Sequence, residues 1–116
     1  MEAPLVLFVY GTLMRGFRNH YRLLDSEFIG PAWTKPIYRL YDCGTYPGLV
    51  WEEDGESIGG ELFRVTSEVM AALDEFERQY ERKPVELNST GFDAWGFFYR
   101  GNVSALPRCG PLWTSP

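Results

Sequence analysis

Histidine and cysteine are scarce in this sequence, which has one histidine and two cysteines among 116 residues. Cys43 and Cys109 are far apart along the chain, and His20 is close to neither. Because a zinc site usually takes four ligands at short spacing, the sequence argues against a structural zinc site, and we expect no metal and no cofactor. A nucleophilic pair of His20 and Cys43 is an alternative that neither sequence context supports. In an enzyme of this composition, proton transfer falls to a carboxylate.

Positive charge and long apolar segments are also in short supply. The 11 Lys and Arg residues are outnumbered by 16 Asp and Glu residues, and the formal net charge is −5. Nucleic-acid binding relies on a basic surface that displaces counterions from phosphate, so we predict no nucleic-acid partner. The apolar run at 5–10 is far shorter than the core of a signal sequence or a membrane span. This predicts a cytoplasmic protein with reduced thiols and no membrane association.

The sequence does contain enough apolar material for one core. Hydrophobic residues make up 45% of the chain and aromatic residues 16%, which argues against disorder and, at this length, for a single domain. We place that domain at 1–104. The segment 105–116 contains Pro107, Gly110 and Pro111, and it is predicted to be an irregular tail. A monomer is the favoured oligomeric state.

Apolar periodicity predicts an α+β domain in which strands outnumber helices. The strands are expected at 5–10, 28–34, 38–42, 49–51, 58–65, 82–87 and 94–100. One helix is expected from about residue 67 to 78, with Thr66 or Ser67 as its N-cap, and a short second helix at 19–24. The turn-rich segment before the last strand predicts an antiparallel hairpin. At this size the sheet is expected to curl or close, because either arrangement shields its edges.

The first candidate site is the loop that follows the first strand, with Tyr10, Gly11, Thr12 and Leu13 in sequence. Gly11 permits close approach of the backbone to a ligand, and successive N–H groups in such a turn bind anions. The loop is therefore a candidate cradle for a substrate carboxylate. Spacing alone favours the alternative, an ordinary turn that ends a strand, because a single glycine is a weak motif.

The second candidate is the acidic end of the long helix. Val69, Leu73 and Phe76 form an apolar stripe, and Glu77 is expected about 90° from its centre, at the edge of the buried face. Asp74, at about 150°, points most clearly to solvent, whereas Glu75, at about 110° on the other side, is not decisively different from Glu77. A glutamate at the rim of a core has its pKa raised by desolvation, as a general acid–base requires. Spacing alone favours a solvated helix end.

Charged and aromatic residues follow Glu77 closely. Arg78, Tyr80, Arg82 and Lys83 are all near enough in sequence to orient a carboxylate and a substrate. The alternative is a charge-paired surface, which is common in proteins.

Taken together, these segments resemble the gamma-glutamylcyclotransferase-like superfamily, and most of all its gamma-glutamylamine cyclotransferase branch. The resemblance extends over about 6–101. It rests on four stretches: FVYGTLMRG at 8–16, YPGLV at 46–50, GELFRV at 60–65 and LDEFE at 73–77. Three single residues that follow these stretches complete it: Tyr80, Arg82 and Trp95. Two departures concern substrate choice. Arg78 replaces the usual glycine after Glu77, and only two residues separate Glu77 from Tyr80.

The resemblance implies a fold and a set of residue roles. The fold is a small mixed, mostly antiparallel β-barrel flanked by one or two short helices. Glu77 matches the catalytic acid–base of the family. The substrate-binding residues implied are the loop residues and three further side chains, which supply hydroxyl groups or positive charge for an anionic substrate: Tyr10, Gly11, Thr12, Leu13, Arg15, Tyr80 and Arg82.

The reaction implied is the cyclisation of a gamma-glutamyl compound. Its α-amine attacks its own γ-carbonyl, which gives 5-oxoproline and releases an amine. The attack is intramolecular, so proximity is already supplied, and one glutamate can perform both proton transfers. Three alternatives remain open: a non-catalytic domain that binds a carboxylate metabolite in the same cavity, a family member with another substrate, and a protein-interaction domain with an exposed apolar patch.

Overall fold

The computed structural model describes residues 4–88 and 90–114, and in that part of the chain one α-helix and seven strands form a single sheet-based domain. The α-helix, α1, is Ser67–Phe76, and a short 3₁₀ helix spans His20–Leu23. The strands in chain order are β1 Leu5–Val9, β2 Glu27–Trp33, β3 Tyr38–Asp42, β4 Pro47–Trp51, β5 Gly59–Val65, β6 Tyr80–Val85 and β7 Ala94–Tyr99. Every predicted strand is present, with its ends displaced by no more than two residues.

The sheet is mostly antiparallel, with the order β2-β5-β1-β7-β4-β3 and with β6 paired to β7 as the predicted hairpin. Only the pairings of β7 with β1 and with β4 are parallel. The α+β class is therefore confirmed. The sheet is not a closed barrel, because the path of paired strands does not return to its start. A single antiparallel bridge between Thr34 and Leu87 links the chain after β2 to the chain after β6.

Strand β1 lies in the middle of the sheet and in the core of the domain. Its residues Leu7, Phe8 and Val9 are at most 2% exposed, as expected for a strand that is covered on both faces. Gly60 on the neighbouring β5 allows the two strands to pack closely. A Cβ atom at Gly60 would lie 2.3 Å from the carbonyl oxygen of Val9. The position of the loop after β1 is thus fixed by a buried strand.

Helix α1 begins as predicted and ends earlier than predicted. The Oγ1 atom of Thr66 accepts a hydrogen bond of 3.1 Å from the backbone N–H of Val69, which caps the helix. The buried helix residues are Met70 and Leu73, whereas Phe76 is 38% exposed. The buried face is therefore centred on Met70 and Leu73. At about 100° per residue, a side chain four positions after Leu73 stays on the same side of the helix.

The described part of the tail, 105–114, has no helix or strand and packs on the sheet. The backbone N–H of Asp42 donates to the carbonyl of Pro107 at 2.8 Å. Trp113 is 4% exposed and belongs to the core. Residues 115 and 116 of the predicted tail lie outside the described residues. Within the described ranges no helix is long and apolar enough to cross a membrane, and the cytoplasmic location stays a prediction.

Candidate active site

A cavity of about 200 Å³ lies between the loop after β1 and the end of α1. The loop residues 10–13 are buried and form one wall. Three residues that follow α1 also line the cavity: Glu77, Gln79 and Tyr80. The remaining described lining residues come from β1, from the segment after the loop, from the start of β4, from α1 and from β7: Phe8, Val9, Arg18, Asn19, Tyr46, Pro47, Phe76 and Phe97.

The segment that leads into the 3₁₀ helix forms hydrogen bonds with the loop 10–13. The backbone N–H of Asn19 donates to the carbonyl of Thr12, and its side-chain Nδ2 donates to Thr12 Oγ1, both at 2.9 Å. The Nδ1 atom of His20 lies 3.0 Å from the carbonyl oxygen of Leu13. His20 thus contacts the loop backbone, which gives it a structural place here instead of a pairing with Cys43.

Glycine is required at position 11 because Pro47 packs directly against the loop. A Cβ atom at Gly11 would lie 2.6 Å from Cγ of Pro47 and 2.8 Å from its Cδ. Pro47 begins β4, so this contact fixes the separation between the loop after β1 and the start of that strand. The glycine in the motif therefore serves protein packing in addition to any close approach of a ligand.

Two buried tyrosines hold the walls of the cavity in place. The Tyr10 hydroxyl donates to the carbonyl of Phe97 at 2.6 Å and accepts from the N–H of Leu49 at 3.3 Å. The Tyr80 hydroxyl donates to the carbonyl of Pro47 at 2.6 Å. Burial raises the pKa of both phenols, Tyr10 and Tyr80, well above the ordinary value. Both side chains are therefore neutral, and each hydroxyl donates its proton in a hydrogen bond to a backbone carbonyl.

Glu77 is the only carboxylate among the described residues that line the cavity. It follows the last residue of α1, and its backbone N–H donates to the carbonyl of Leu73 at 2.7 Å. Burial raises the pKa of the Glu77 carboxyl to about 7, and the positive charge of Arg22 opposes part of that rise. The guanidinium of Arg22 lies 3.5 Å from the centre of the Phe76 ring. At neutral pH both protonation states of Glu77 are populated.

Arg15 and Arg82 lie outside this cavity. Arg15 donates from its backbone N–H and its Nε to the carboxylate of Glu61, at 2.9 and 3.2 Å. Arg82 forms two hydrogen bonds with Asp74, at 2.8 and 3.1 Å. Arg78 forms an exposed ion pair with Glu75. The structure thus places these three arginines in ion pairs on the protein surface.

The structure brings together six of the eight predicted site residues: Tyr10, Gly11, Thr12, Leu13, Glu77 and Tyr80. Nine other described residues line the cavity and were not assigned to the site from the sequence, among them Arg18, Asn19, Tyr46, Pro47 and Gln79. Tyr46 and Pro47 belong to a stretch on which the resemblance rests, so the motif contained a signal for them. Asn19 had a signal only as a helix cap. Arg18 and Gln79 had none.

The fold and the site define a small α+β domain with a cavity at a strand-ending glycine loop, and among the described lining residues that cavity holds one carboxylate, the half-buried Glu77. The family model for gamma-glutamyl cyclotransferases of the AIG2-like type matches residues 7–113. This chain therefore belongs to the gamma-glutamyl cyclotransferase, AIG2-like family. It is an enzyme of the cyclising type, in keeping with the names of its relatives.

Relatives support this membership in sequence and in structure. A Vibrio cholerae protein that carries a gamma-glutamylcyclotransferase name is 42% identical over 99 residues, which are 82% of each chain. Gamma-glutamylaminecyclotransferase B of Danio rerio is 37% identical over 95 residues, which are 72% of this chain and 49% of the relative. The crystal structure of an AIG2-like protein of Mus musculus superposes with a TM-score of 0.81 at 25% identity, over 99% of this chain and 97% of the mouse protein.

Proposed function

We propose that this protein cyclises a gamma-glutamyl compound to 5-oxoproline and releases the amine that was bound to the γ-carbonyl. The observation that carries the proposal is the half-buried Glu77, which lines the same cavity as the glycine loop and has its pKa raised by burial to about 7. The names of the relatives support the substrate class, since they specify gamma-glutamyl and gamma-glutamylamine cyclotransferases.

Glu77 is proposed to transfer the proton in both halves of the reaction. Its carboxylate removes a proton from the substrate α-ammonium group, and the resulting amine attacks the γ-carbonyl carbon. A C–N bond forms and the five-membered ring closes, and the carboxylic acid of Glu77 gives its proton to the leaving nitrogen as the bond between that nitrogen and carbon breaks. The ring nitrogen passes its second proton to the Glu77 carboxylate, which then releases it to the free amine or to solvent. A pKa of about 7 suits both steps at neutral pH, because neither protonation state is rare.

The loop after β1 is proposed to bind the α-carboxylate of the substrate. Successive backbone N–H groups in a turn form a concave site for anions, and here they are those of Gly11, Thr12 and Leu13. Hydrogen bonds to Asn19 support this proposal, since they occupy the Thr12 carbonyl and hydroxyl within the protein. Together with Tyr10 and Tyr80, these residues form the proposed binding set.

The role of Glu77 is tested by measuring 5-oxoproline release from gamma-glutamyl compounds. Glu77→Gln keeps the shape of the side chain and removes the base, so we expect turnover to fall by roughly 10²- to 10⁴-fold. Glu75→Gln is the matched control, because Glu75 is exposed and pairs with Arg78 on the surface. It should stay within about twofold of the wild type, as is usual for exposed ion pairs. Full turnover by a folded Glu77→Gln variant would refute the assignment.

A non-catalytic domain that binds a carboxylate metabolite is the competing function. Such a domain is disfavoured by the position of Glu77, because a buried carboxylate repels an anionic ligand at short distance. The same panel distinguishes the two functions. A binding domain holds gamma-glutamyl compounds without releasing 5-oxoproline, and its affinity improves when Glu77 is replaced by Gln.

A further inference from the structure

Arg22 holds a positive charge next to the end of α1 without lining the cavity itself. It belongs to the 3₁₀ helix His20–Leu23, which packs against α1. Its guanidinium carbon lies over the Phe76 ring, 3.5 Å from the ring centre. Phe76 is the last residue of α1, and Glu77 follows it directly. A cation over an aromatic face is attracted to the ring, so this contact fixes the positive charge beside the proposed base.

The guanidinium of Arg22 is half-buried and has no carboxylate partner in the described part of the chain. Its Nε atom is buried and forms no hydrogen bond there. The Phe76 ring covers one face of the group, and the Tyr21 ring lies 5.1 Å from it. No nearer carboxylate neutralises this charge, and water is excluded from part of it. The field of Arg22 is therefore screened less than that of an exposed cation in an ion pair.

Arg78 illustrates the difference, because it is the cation nearest to Glu77 in sequence. Its side chain is exposed and forms an ion pair with Glu75 on the surface. The pKa of Glu77 is raised by burial and lowered in part by the charge of Arg22, with no contribution from Arg78. The charge that acts on Glu77 thus comes from the 3₁₀ helix and not from the adjacent residue.

The other titratable and charged groups around Glu77 are engaged elsewhere. Those that line the cavity with it come from four parts of the chain: Tyr10, Arg18, Tyr46 and Tyr80. The first and the last are neutral and donate to backbone carbonyls, and the arginine donates to the Thr45 carbonyl. His20 begins the same 3₁₀ helix as Arg22 but contacts the Leu13 carbonyl. On α1 the carboxylates form ion pairs: Asp74 with Arg82 and Glu75 with Arg78.

We propose that Arg22 is a positioning residue for the reaction: its guanidinium, fixed on the Phe76 ring, maintains Glu77 in the carboxylate form that removes the substrate proton. The inference rests on the proposed function, which gives Glu77 the role of the base, and it adds the group that keeps this base available. Burial alone favours the protonated carboxylic acid, which cannot accept a proton. A nearby positive charge favours the carboxylate, so it enlarges the fraction of enzyme that can begin the reaction at neutral pH.

The test measures kcat/KM for 5-oxoproline release at pH 6 and pH 8.5, with the most active compound from a panel of gamma-glutamyl amino acids, peptides and amines. Arg22→Met keeps an unbranched side chain against Phe76 and removes the charge. Arg22→Gln is a second neutral variant, and Arg22→Lys retains the charge. Arg78→Met is the matched control, because it removes the cation adjacent to Glu77 in sequence.

We expect both neutral variants to lower kcat/KM by roughly threefold at pH 6 and by less than about 1.5-fold at pH 8.5, where Glu77 is ionised with or without the neighbouring charge. Arg22→Lys should lose less at pH 6 than Arg22→Met. Arg78→Met should leave the ratio between the two pH values unchanged. A merely structural role of Arg22 lowers kcat/KM equally at both pH values, and that result would overturn the inference, as would a loss with Arg22→Lys equal to that with Arg22→Met.

A failure of the proposed function is distinguishable from a failure of this inference. If the wild type releases 5-oxoproline from no compound of the panel, the proposed function is refuted. Carbon-detected NMR titration of the Glu77 carboxyl then decides on Arg22, because it requires no turnover. A higher titration midpoint in Arg22→Met than in the wild type and Arg78→Met supports the electrostatic role. The same midpoint in all three proteins refutes it.

Discussion

Replacement of Glu77 by Gln should stabilise the protein at neutral and alkaline pH while it removes activity. Burial raises the pKa of Glu77 from the ordinary value of 4.5 to about 7, so the folded protein holds this proton more tightly than the unfolded chain does. The contribution of the protonated Glu77 to the free energy of unfolding is fully present below pH 4.5. It is lost as the pH rises through about 7, where the buried group becomes charged. The glutamine side chain of the variant stays neutral throughout and avoids that loss.

The size of the effect follows from the pKa. At about 1.4 kcal/mol per pKa unit, a rise from 4.5 to about 7 corresponds to a loss of roughly 3 kcal/mol above pH 7. Glu77 is only half-buried, and solvent screens part of this energy. We therefore expect the free energy of unfolding of Glu77→Gln to exceed that of the wild type by about 1–3 kcal/mol at pH 8. The two proteins should differ little at pH 4.5.

The measurement is urea-induced unfolding of both proteins at several pH values between 4.5 and 8.5, with the free energy of unfolding extrapolated to water. Glu75→Gln is the control, because Glu75 is exposed and pairs with Arg78 on the surface, so its replacement should change the free energy of unfolding only slightly. Carbon-detected NMR titration of the Glu77 carboxyl measures its pKa directly. A stability difference that is the same at pH 5 and pH 8 would refute the reasoning.

Three further substitutions test the walls of the cavity and the tail. Tyr10→Phe leaves the buried carbonyl of Phe97 without its donor, and we expect a loss of about 1–3 kcal/mol in thermal or urea unfolding. Gly11→Ala places a Cβ atom 2.6 Å from Cγ of Pro47, so it should cost about 1–3 kcal/mol and raise KM by separating the walls. Trp113→Ala empties a core position in the tail and should cost about 3–5 kcal/mol, whereas a cost under 1 kcal/mol would show that the tail does not stabilise the domain.

The elements of the fold could be predicted from the sequence because their signals are local. The cap at Thr66 and the apolar run of β1 each depend on residues within one short window. The way β7 joins the sheet depends on distant segments. Its parallel pairings, Leu7 with Trp95 and Leu49 with Phe98, have no local pattern that sets them. The extent of closure therefore emerged only from the structure.

The candidate site was predicted in part, for a similar reason. The motif identified Glu77, although the stripe of Val69, Leu73 and Phe76 placed the helix face wrongly. Met70 lies three residues before Leu73 and supplied an unused signal for the true buried face, with which Glu77 is aligned. Arg18 reaches the cavity through a contact with the distant Thr45, which no spacing in the sequence indicates.

The pKa of Glu77 depends on whether the neighbouring hydroxyl groups of Tyr10 and Tyr80 can donate a hydrogen bond to its carboxylate. The negative charge of Glu77 adds to the rise in the pKa of Tyr10 and Tyr80, and each of these neutral tyrosines donates its hydroxyl proton to a backbone carbonyl. Neither proton is then available to stabilise the carboxylate, so the cost of burial is offset only in part, by the charge of Arg22. The same hydrogen bonds that hold the cavity walls therefore keep the Glu77 pKa near neutrality, where a single carboxyl group can both accept and return a proton.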